Sequence, residues 1–153
     1  MIKMICFDMD GTIADLYGVN DWCKRLRAED PDPYREALPM WDMKMLNEVL
    51  YQILAEGIEI RIITWLSKES SEPYKKAVRE AKKDWLIEQG FPFDYFHGVQ
   101  YGATKADSVR KALKPGETAL LIDDNAKVRE GWHLGETIDP TACDLIEILK
   151  KLL

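Results

Sequence analysis

The sequence is poor in the side chains that carry metal–sulfur and imidazole chemistry. It has three cysteines, Cys6, Cys23 and Cys143, far apart and odd in number, and two histidines, His97 and His133. There is no C-x-x-C and no cysteine–histidine cluster, so neither a zinc site nor a disulfide framework is indicated. Three reduced thiols in a cytoplasmic protein are expected instead. No run approaches about 18 continuous apolar residues and the N-terminus lacks a signal-peptide pattern, which predicts a cytoplasmic chain with no membrane partner. Positive charge is not in excess either. The formal net charge of −6 argues against a large nucleic-acid interface. It leaves room for a small phosphorylated substrate, because a local site can oppose the global sign. Internal repeats and low-complexity linkers are absent.

What is present is an ordinary globular composition, 46% apolar and 31% charged over 153 residues, enough for one domain with a sizeable core. The opening run MIKMICF reads as a buried strand ending at Asp8, IEIRIIT (58–64) as a second and TALLID (118–123) as a third. Weaker strands are expected at 95–101 and 136–139. Between them lie helical stripes. In 41–56 the apolar positions are Met43, Leu46, Val49, Leu50, Ile53 and Leu54, with Gly57 as the stop. In 71–89 they are Tyr74, Ala77, Val78, Ala81, Trp85 and Leu86, with Ser71 as N-cap and Gly90 past the end. The charges in 75–84 read as that helix's solvated face. Shorter helices are expected over 106–113, 126–132 and about 141–152. Alternating strands and helices predict an α/β fold, a Rossmann-like parallel sheet with helices on both faces. Residues 13–40 break the alternation and read as a small insertion over the sheet edge, after the first strand. Its one helical piece runs from about Trp22 to Ala28, followed by a proline-punctuated segment.

In such sheets ligands bind beyond the carboxyl ends of the strands. Asp8, Thr64 and the pair Asp123–Asp124 all fall at those ends, and Asp10 follows two residues after Asp8. Two carboxylates so close repel, by roughly 4 kcal/mol at about 4 Å and an effective dielectric of 20, so a cation or a shared proton is called for. Asp8 can serve as nucleophile or metal ligand. Gly11 permits a tight backbone whose amides can face an anion. Thr64 and Lys105 can hold phosphate oxygens, and the acidic pair suits a hard cation such as Mg²⁺. Nucleophile, proton donor, anion clamp and Mg²⁺ are the parts of phosphoryl transfer.

The ordered elements DMDGT, IITW, TK and LLIDDN resemble the haloacid dehalogenase superfamily of aspartate-nucleophile phosphatases. The resemblance implies a single domain over 1–153 with a small cap at about 13–40. It implies Asp8 as the nucleophile that becomes an aspartyl-phosphate and Asp10 as general acid, then base. It implies Mg²⁺ held by Asp8, the backbone carbonyl of Asp10 and an acid of the last motif. Relatives with a double aspartate favour the second, here Asp124, leaving Asp123 to orient Lys105. The phosphoryl group would be held by the Met9, Gly11 and Thr12 loop, by Thr64 and Trp65, and by Lys105. A narrower similarity, over 1–12 and about 41–130, is to the 5′(3′)-deoxyribonucleotidase group. It implies a (deoxy)nucleotide 5′-monophosphate as substrate. Tyr17, Trp22, Tyr34 and Trp41 are candidate substrate contacts because bases stack on such rings, with packing inside the insertion as the competing reading for most of them. The shorter insertion and Trp65, where those enzymes carry a small polar residue, are departures that bear on the substrate rather than the chemistry.

Other readings compete. A receiver-type signalling domain also gathers acids, a threonine and a lysine. It places the adjacent acidic pair at the first strand and its lone aspartate later, the reverse of the order here. A catalytically inactive phosphate-binding module would not need every polar part. Asp123–Asp124–Asn125 can be an Asx turn and helix cap, which is compatible with metal binding. His97 is expected to be structural and His133 to lie on the surface. The oligomeric state is open.

Overall fold

The computed structural model describes residues 1–153. Its centre is β1 (Ile2–Phe7), flanked by β4 (Glu59–Trp65) and β6 (Thr118–Ile122), with β5 (Tyr95–Val99) and β7 (Thr137–Ile138) outside them. The order is β5-β4-β1-β6-β7 and every pairing is parallel. This is the α/β Rossmann-like arrangement that the alternation of patterns predicts.

Period-two side chains feed two cores. Ile5, Phe7, Ile60, Ile62, Leu120 and Ile122 point to the face covered by α3 (Met43–Ala55) and α6 (Leu145–Lys150). Met4, Cys6, Ile63, Ala119 and Leu121 point to the other, packing with Ala106, Val109 and Trp132. Burial on both faces explains why β1 reads as an unbroken apolar run. It also pushes the Cys6 thiol up to about 12, and no cysteine is bonded to another.

The long helix α4 (Glu72–Glu88) starts at Ser71, whose hydroxyl accepts from the Tyr74 amide, and stops before Gly90 (φ +70°). Two expected helices take other forms. Residues 105–112 form two 3₁₀ turns, Lys105–Ser108 and Arg110–Ala112, because the backbone opens at Val109 (φ −125°, ψ −8°). The turns seat Ala106 and Val109 together against the sheet, since side chains at i and i+3 eclipse in 3₁₀ geometry. The C-terminal segment forms a 3₁₀ turn at Pro140–Ala142 and then α6, which starts only after Asp144 accepts from the Glu147 amide. The expected 126–132 helix is α5 (Ala126–Glu130).

The insertion is closed at its base by antiparallel β2 (Ala14–Asp15) and β3 (Leu38–Pro39). Between them lie α1 (Trp22–Arg27) and α2 (Asp32–Glu36). The second helix escapes a reading by pattern because its prolines look like breakers. Pro33 sits in the first turn, where its missing N–H costs nothing. Leu16 and Tyr34 of the insertion pack with Leu66, Tyr74, Val78 and Ala81, anchoring it to α4. No helix is long and apolar enough to cross a membrane.

Candidate active site

Register builds the site. Phe7 aligns with Ile62 on one side and Ile122 on the other, so Asp8 and Asp123 leave neighbouring strands side by side, and Thr64 lies one residue before the end of β4. The Asp8 amide donates to the Ile122 carbonyl at 3.0 Å, carrying the pairing up to the carboxylate itself.

Asp8 is buried, and both its oxygens are engaged. Lys105 Nζ donates to Oδ1 at 2.9 Å, and the Thr12 hydroxyl to Oδ2 at 3.0 Å. Lys105 also donates to Asp123 Oδ2 at 2.7 Å, while Asp123 Oδ1 accepts from the Asn125 amide at 2.9 Å. Asp123 is thus tied by both oxygens to Lys105 and to the turn that opens α5, whose N-cap is Asn125. Burial alone would push Lys105 down, but the charges of Asp8 and Asp123 outweigh it and hold the ammonium up. Asp123 itself is pushed up, by burial first and by the Asp8 charge second.

Asp124 stands on the open side, with Thr12 Oγ1 3.4 Å from its Oδ1 and accepting from its amide at 3.2 Å. Burial and the neighbouring Asp8 push its carboxyl up to about 7. Asp8, Asp123 and Asp124 each offer an oxygen within 4.8 Å of the others. Together with Asp10, four carboxylates face two ammonium groups, those of Lys105 and Lys82. The uncompensated negative charge and the all-oxygen donor set fit a hard divalent cation. Both oxygens of Asp8 and of Asp123 already accept hydrogen bonds, so Asp124 is the carboxylate left open to hold one, with an Asp8 oxygen beside it.

Asp10 points to the other side of the cleft. Lys82 Nζ donates to its Oδ2 at 2.9 Å, to Thr64 Oγ1 at 2.7 Å and to the Trp65 carbonyl at 2.9 Å. Burial raises the Asp10 pKa, the Lys82 charge opposes that, and Asp8 adds to it. Lys82 corrects the expectation of a solvated face over 75–84, since it is only 1% exposed. A signal existed in its spacing. Lys82 lies four residues after Val78 and eight after Tyr74, on the apolar stripe itself.

Asp8, Asp10, Thr64, Lys105, Asp123 and Asp124 form the floor of a cavity of about 660 Å³. Tyr17 and Trp22 of the insertion meet edge to face, centroids 4.9 Å apart, on one wall. Trp65 and Tyr101, 5.0 Å apart, line the wall from the core side. Tyr34 lines it as well, with its ring 4.9 Å from Lys82 Nζ. Arg27, Lys68 and Tyr101, which pattern reading did not single out, also reach it.

Several expected contacts fall elsewhere. Trp41 is not a wall of the cavity; its indole N–H donates to the Thr12 carbonyl at 2.8 Å and its ring packs against the main core. The Met9 side chain is buried in that core, leaving only its backbone beside the site. The Gly11 and Thr12 amides do not face an anion, because they donate to the Ala14 and Met9 carbonyls at 2.9 and 3.1 Å. The Thr12 hydroxyl, fully buried, serves Asp8 and Asp124. Trp65 spends its indole N–H on the Ala103 carbonyl at 2.9 Å, so it offers the site a ring face. His97 lies 3.3 Å from an Arg61 guanidinium nitrogen, away from this cleft.

No protein-family model matches the sequence, and no curated protein matches it significantly. Solved structures do share the fold. A chain of the Pnkp1/Rnl/Hen1 RNA repair complex superposes with a TM-score of 0.60 at 15% identity, over 90% of this chain and 42% of that one. A chain from a second structure of the Pnkp1/Rnl/Hen1 complex gives 0.59 at 16% identity, over 90% and 45%. This chain therefore spans less than half the length of those chains, and the likeness is one of fold.

Proposed function

We propose that this chain is a Mg²⁺-dependent phosphomonoesterase of the haloacid dehalogenase type, acting in the cytoplasm on a small phosphate ester. The observation that carries the reading is the convergence on one cavity of Asp8, Asp10, Thr64 and Asp124, delivered by three strands, and of Lys105, delivered by the 3₁₀ turn after β5. In the first step an Asp8 carboxylate oxygen attacks phosphorus. The P–O bond to the leaving group breaks, and Asp10 gives its proton to the departing oxygen. In the second, Asp10 takes a proton from water, which attacks the aspartyl-phosphate and releases inorganic phosphate and free Asp8. Thr64 and Lys105 hold the phosphoryl oxygens through both steps. Asp8, Asp124 and the backbone carbonyl of Asp10 would hold the Mg²⁺, which when bound offsets charge on the phosphoryl oxygens.

The aromatic walls support an ester with a planar group, and (deoxy)nucleotide 5′-monophosphates are the first candidates. The fold neighbours belong to an RNA repair complex, which makes a phosphorylated oligonucleotide the natural comparison. The net charge of −6 disfavours it. The test is a screen over nucleoside monophosphates, sugar phosphates, an aryl phosphate and end-phosphorylated oligonucleotides, with Mg²⁺ and with EDTA. Mg²⁺-dependent phosphate release, greatest for mononucleotides, is expected. Binding without release would favour an inactive phosphate-binding module.

A further inference from the structure

Lys82 is a buried cation with no room for a substrate. An ammonium has three N–H donors and no acceptor. Asp10 Oδ2, Thr64 Oγ1 and the Trp65 carbonyl take one each, at 2.7 to 2.9 Å. The Tyr34 ring lies against it from the insertion, and Trp85 and Leu86 fix its helix in the main core. Unlike Lys105, which bonds the nucleophile candidate, Lys82 touches the acid candidate and the phosphate-binding threonine.

We infer that Lys82 is a positioning residue that decides which oxygen of Asp10 carries the transferred proton and which way the Thr64 hydroxyl donates. The inference rests on the phosphatase reading above. In a protonated carboxyl the carbonyl oxygen is the better acceptor, so the Lys82 N–H held on Oδ2 favours that oxygen as the carbonyl and places the proton on Oδ1. Thr64 Oγ1 accepts from Lys82, so its own hydrogen must leave in another direction. Only a donor-only group can impose both orientations at once. A serine, asparagine or water in the same place could reverse its bonds and would leave both the acid and the hydroxyl free to turn. Lys82 also joins the two halves of the site, since Asp10 follows β1 while Thr64 and Trp65 end β4.

The test compares the wild type, Lys82→Met, Asp10→Ala and the double variant on an aryl phosphate and an alkyl phosphate, with Mg²⁺. Aryl oxides leave without much protonation and alkoxides do not. A loss of kcat in Lys82→Met greater for the alkyl ester by on the order of 10²-fold is expected, the range of a general acid's contribution. In the Asp10→Ala background Lys82→Met should add little further loss on the alkyl ester. A second readout does not need activity. In ¹⁵N-lysine-labelled protein the Lys82 ammonium signal should be protected from exchange in the wild type and lose that protection in Asp10→Ala. This comparison decides the matter where Lys82→Met does not fold. Equal losses on both esters in a folded Lys82→Met, or a Lys82 signal indifferent to Asp10→Ala, would overturn the inference and leave the phosphatase reading standing. A wild type inert toward every ester would overturn that reading and, with it, the proton assignment.

Discussion

Gly11 lies so close to Asp124 that a Cβ on the glycine would overlap the carboxylate Oδ2 and come within 3.0 Å of its Cγ. The two residues are at opposite ends of the chain, and β1 and β6 bring them together. Gly11 also has φ +79°, a conformation that costs an L-residue roughly 1–2 kcal/mol. Gly11→Ala should therefore lose about that much stability and also displace the carboxylate, weakening Mg²⁺ binding. Gly57, with φ +84° and open space around it, is the control. Gly57→Ala should lose similar stability and bind Mg²⁺ unchanged. Denaturant unfolding and calorimetric Mg²⁺ titration of the two variants separate the effects, and identical Mg²⁺ affinities would refute the link.

Metal binding should depend on pH with a definite sign. Asp124 is pushed up to about 7, by burial and then by Asp8, from an unfolded value near 3.9. Between those values the folded state holds the proton more tightly. The stability this group contributes is therefore full below about pH 4 and is lost as pH rises through 7. A cation must displace the same proton. Mg²⁺ should thus raise Tm more at pH 8 than at pH 5, and in EDTA the Asp124→Asn variant should show a flatter fall of Tm over that interval. A Tm gain from Mg²⁺ that is equal at both pH values would contradict the assignment.

Asp8→Asn and Asp10→Asn should fail differently. On the phosphatase reading, Asp8→Asn should turn over no ester. Asp10→Asn should lose on the order of 10²–10⁴ in rate, least on aryl phosphates. Equal losses at Asp10 for aryl and alkyl phosphates would remove it from the role of acid.

Two tryptophans should separate substrate recognition from packing. Trp22 lines the cavity against Tyr17, so Trp22→Ala should weaken a nucleotide by a stacking-sized amount, roughly 1–3 kcal/mol in KM. A small aryl phosphate should hardly be affected. Trp41 bonds the Thr12 carbonyl away from the cavity. Trp41→Phe should cost about 1 kcal/mol of stability, the net worth of one hydrogen bond, and leave KM for both substrates alone. Paired kinetics with thermal unfolding distinguish these outcomes, and a nucleotide KM unmoved by Trp22→Ala would remove the base-stacking wall.

Local features of the chain were legible because they repeat at the period of their own element. The runs at 1–7, 58–64 and 118–123, each within a residue of its strand, the stripe of α3, and the stops at Gly57 and Gly90 each report a pattern that neighbouring residues share. The order of acids after β1 and β6 was legible for a related reason. In a parallel sheet every strand brings its C-terminal end to the same edge, so Asp8, Thr64 and Asp123, at or just past those ends, had to meet once the strands were placed. Periodicity places position 82 on the apolar stripe, but it could not say that a lysine there is buried whole rather than turning its ammonium out to water. Lys82 was therefore read with its solvated neighbours, whereas packing of α4 over β4 carries its ammonium to Asp10 and Thr64.

The same limit separates Trp22 from Trp41. Both are large rings in or beside the insertion, and only the closure of β2 on β3 turns one toward the cavity and the other into the core. The 105–112 segment has helical composition, yet seating Ala106, Val109 and Lys105 against the sheet and the acids requires tighter 3₁₀ turns. The amino-acid sequence by itself determined the strands of the parallel sheet, though not β2 and β3 of the insertion, together with the order of acidic ends and so the edge where chemistry could occur, because those depend on local period and on parallel pairing. Only the tertiary structure decided which oxygen meets which ammonium, which rings form the walls and which carboxylate is left open, because those depend on side chains distant in the chain competing for the same few hydrogen bonds.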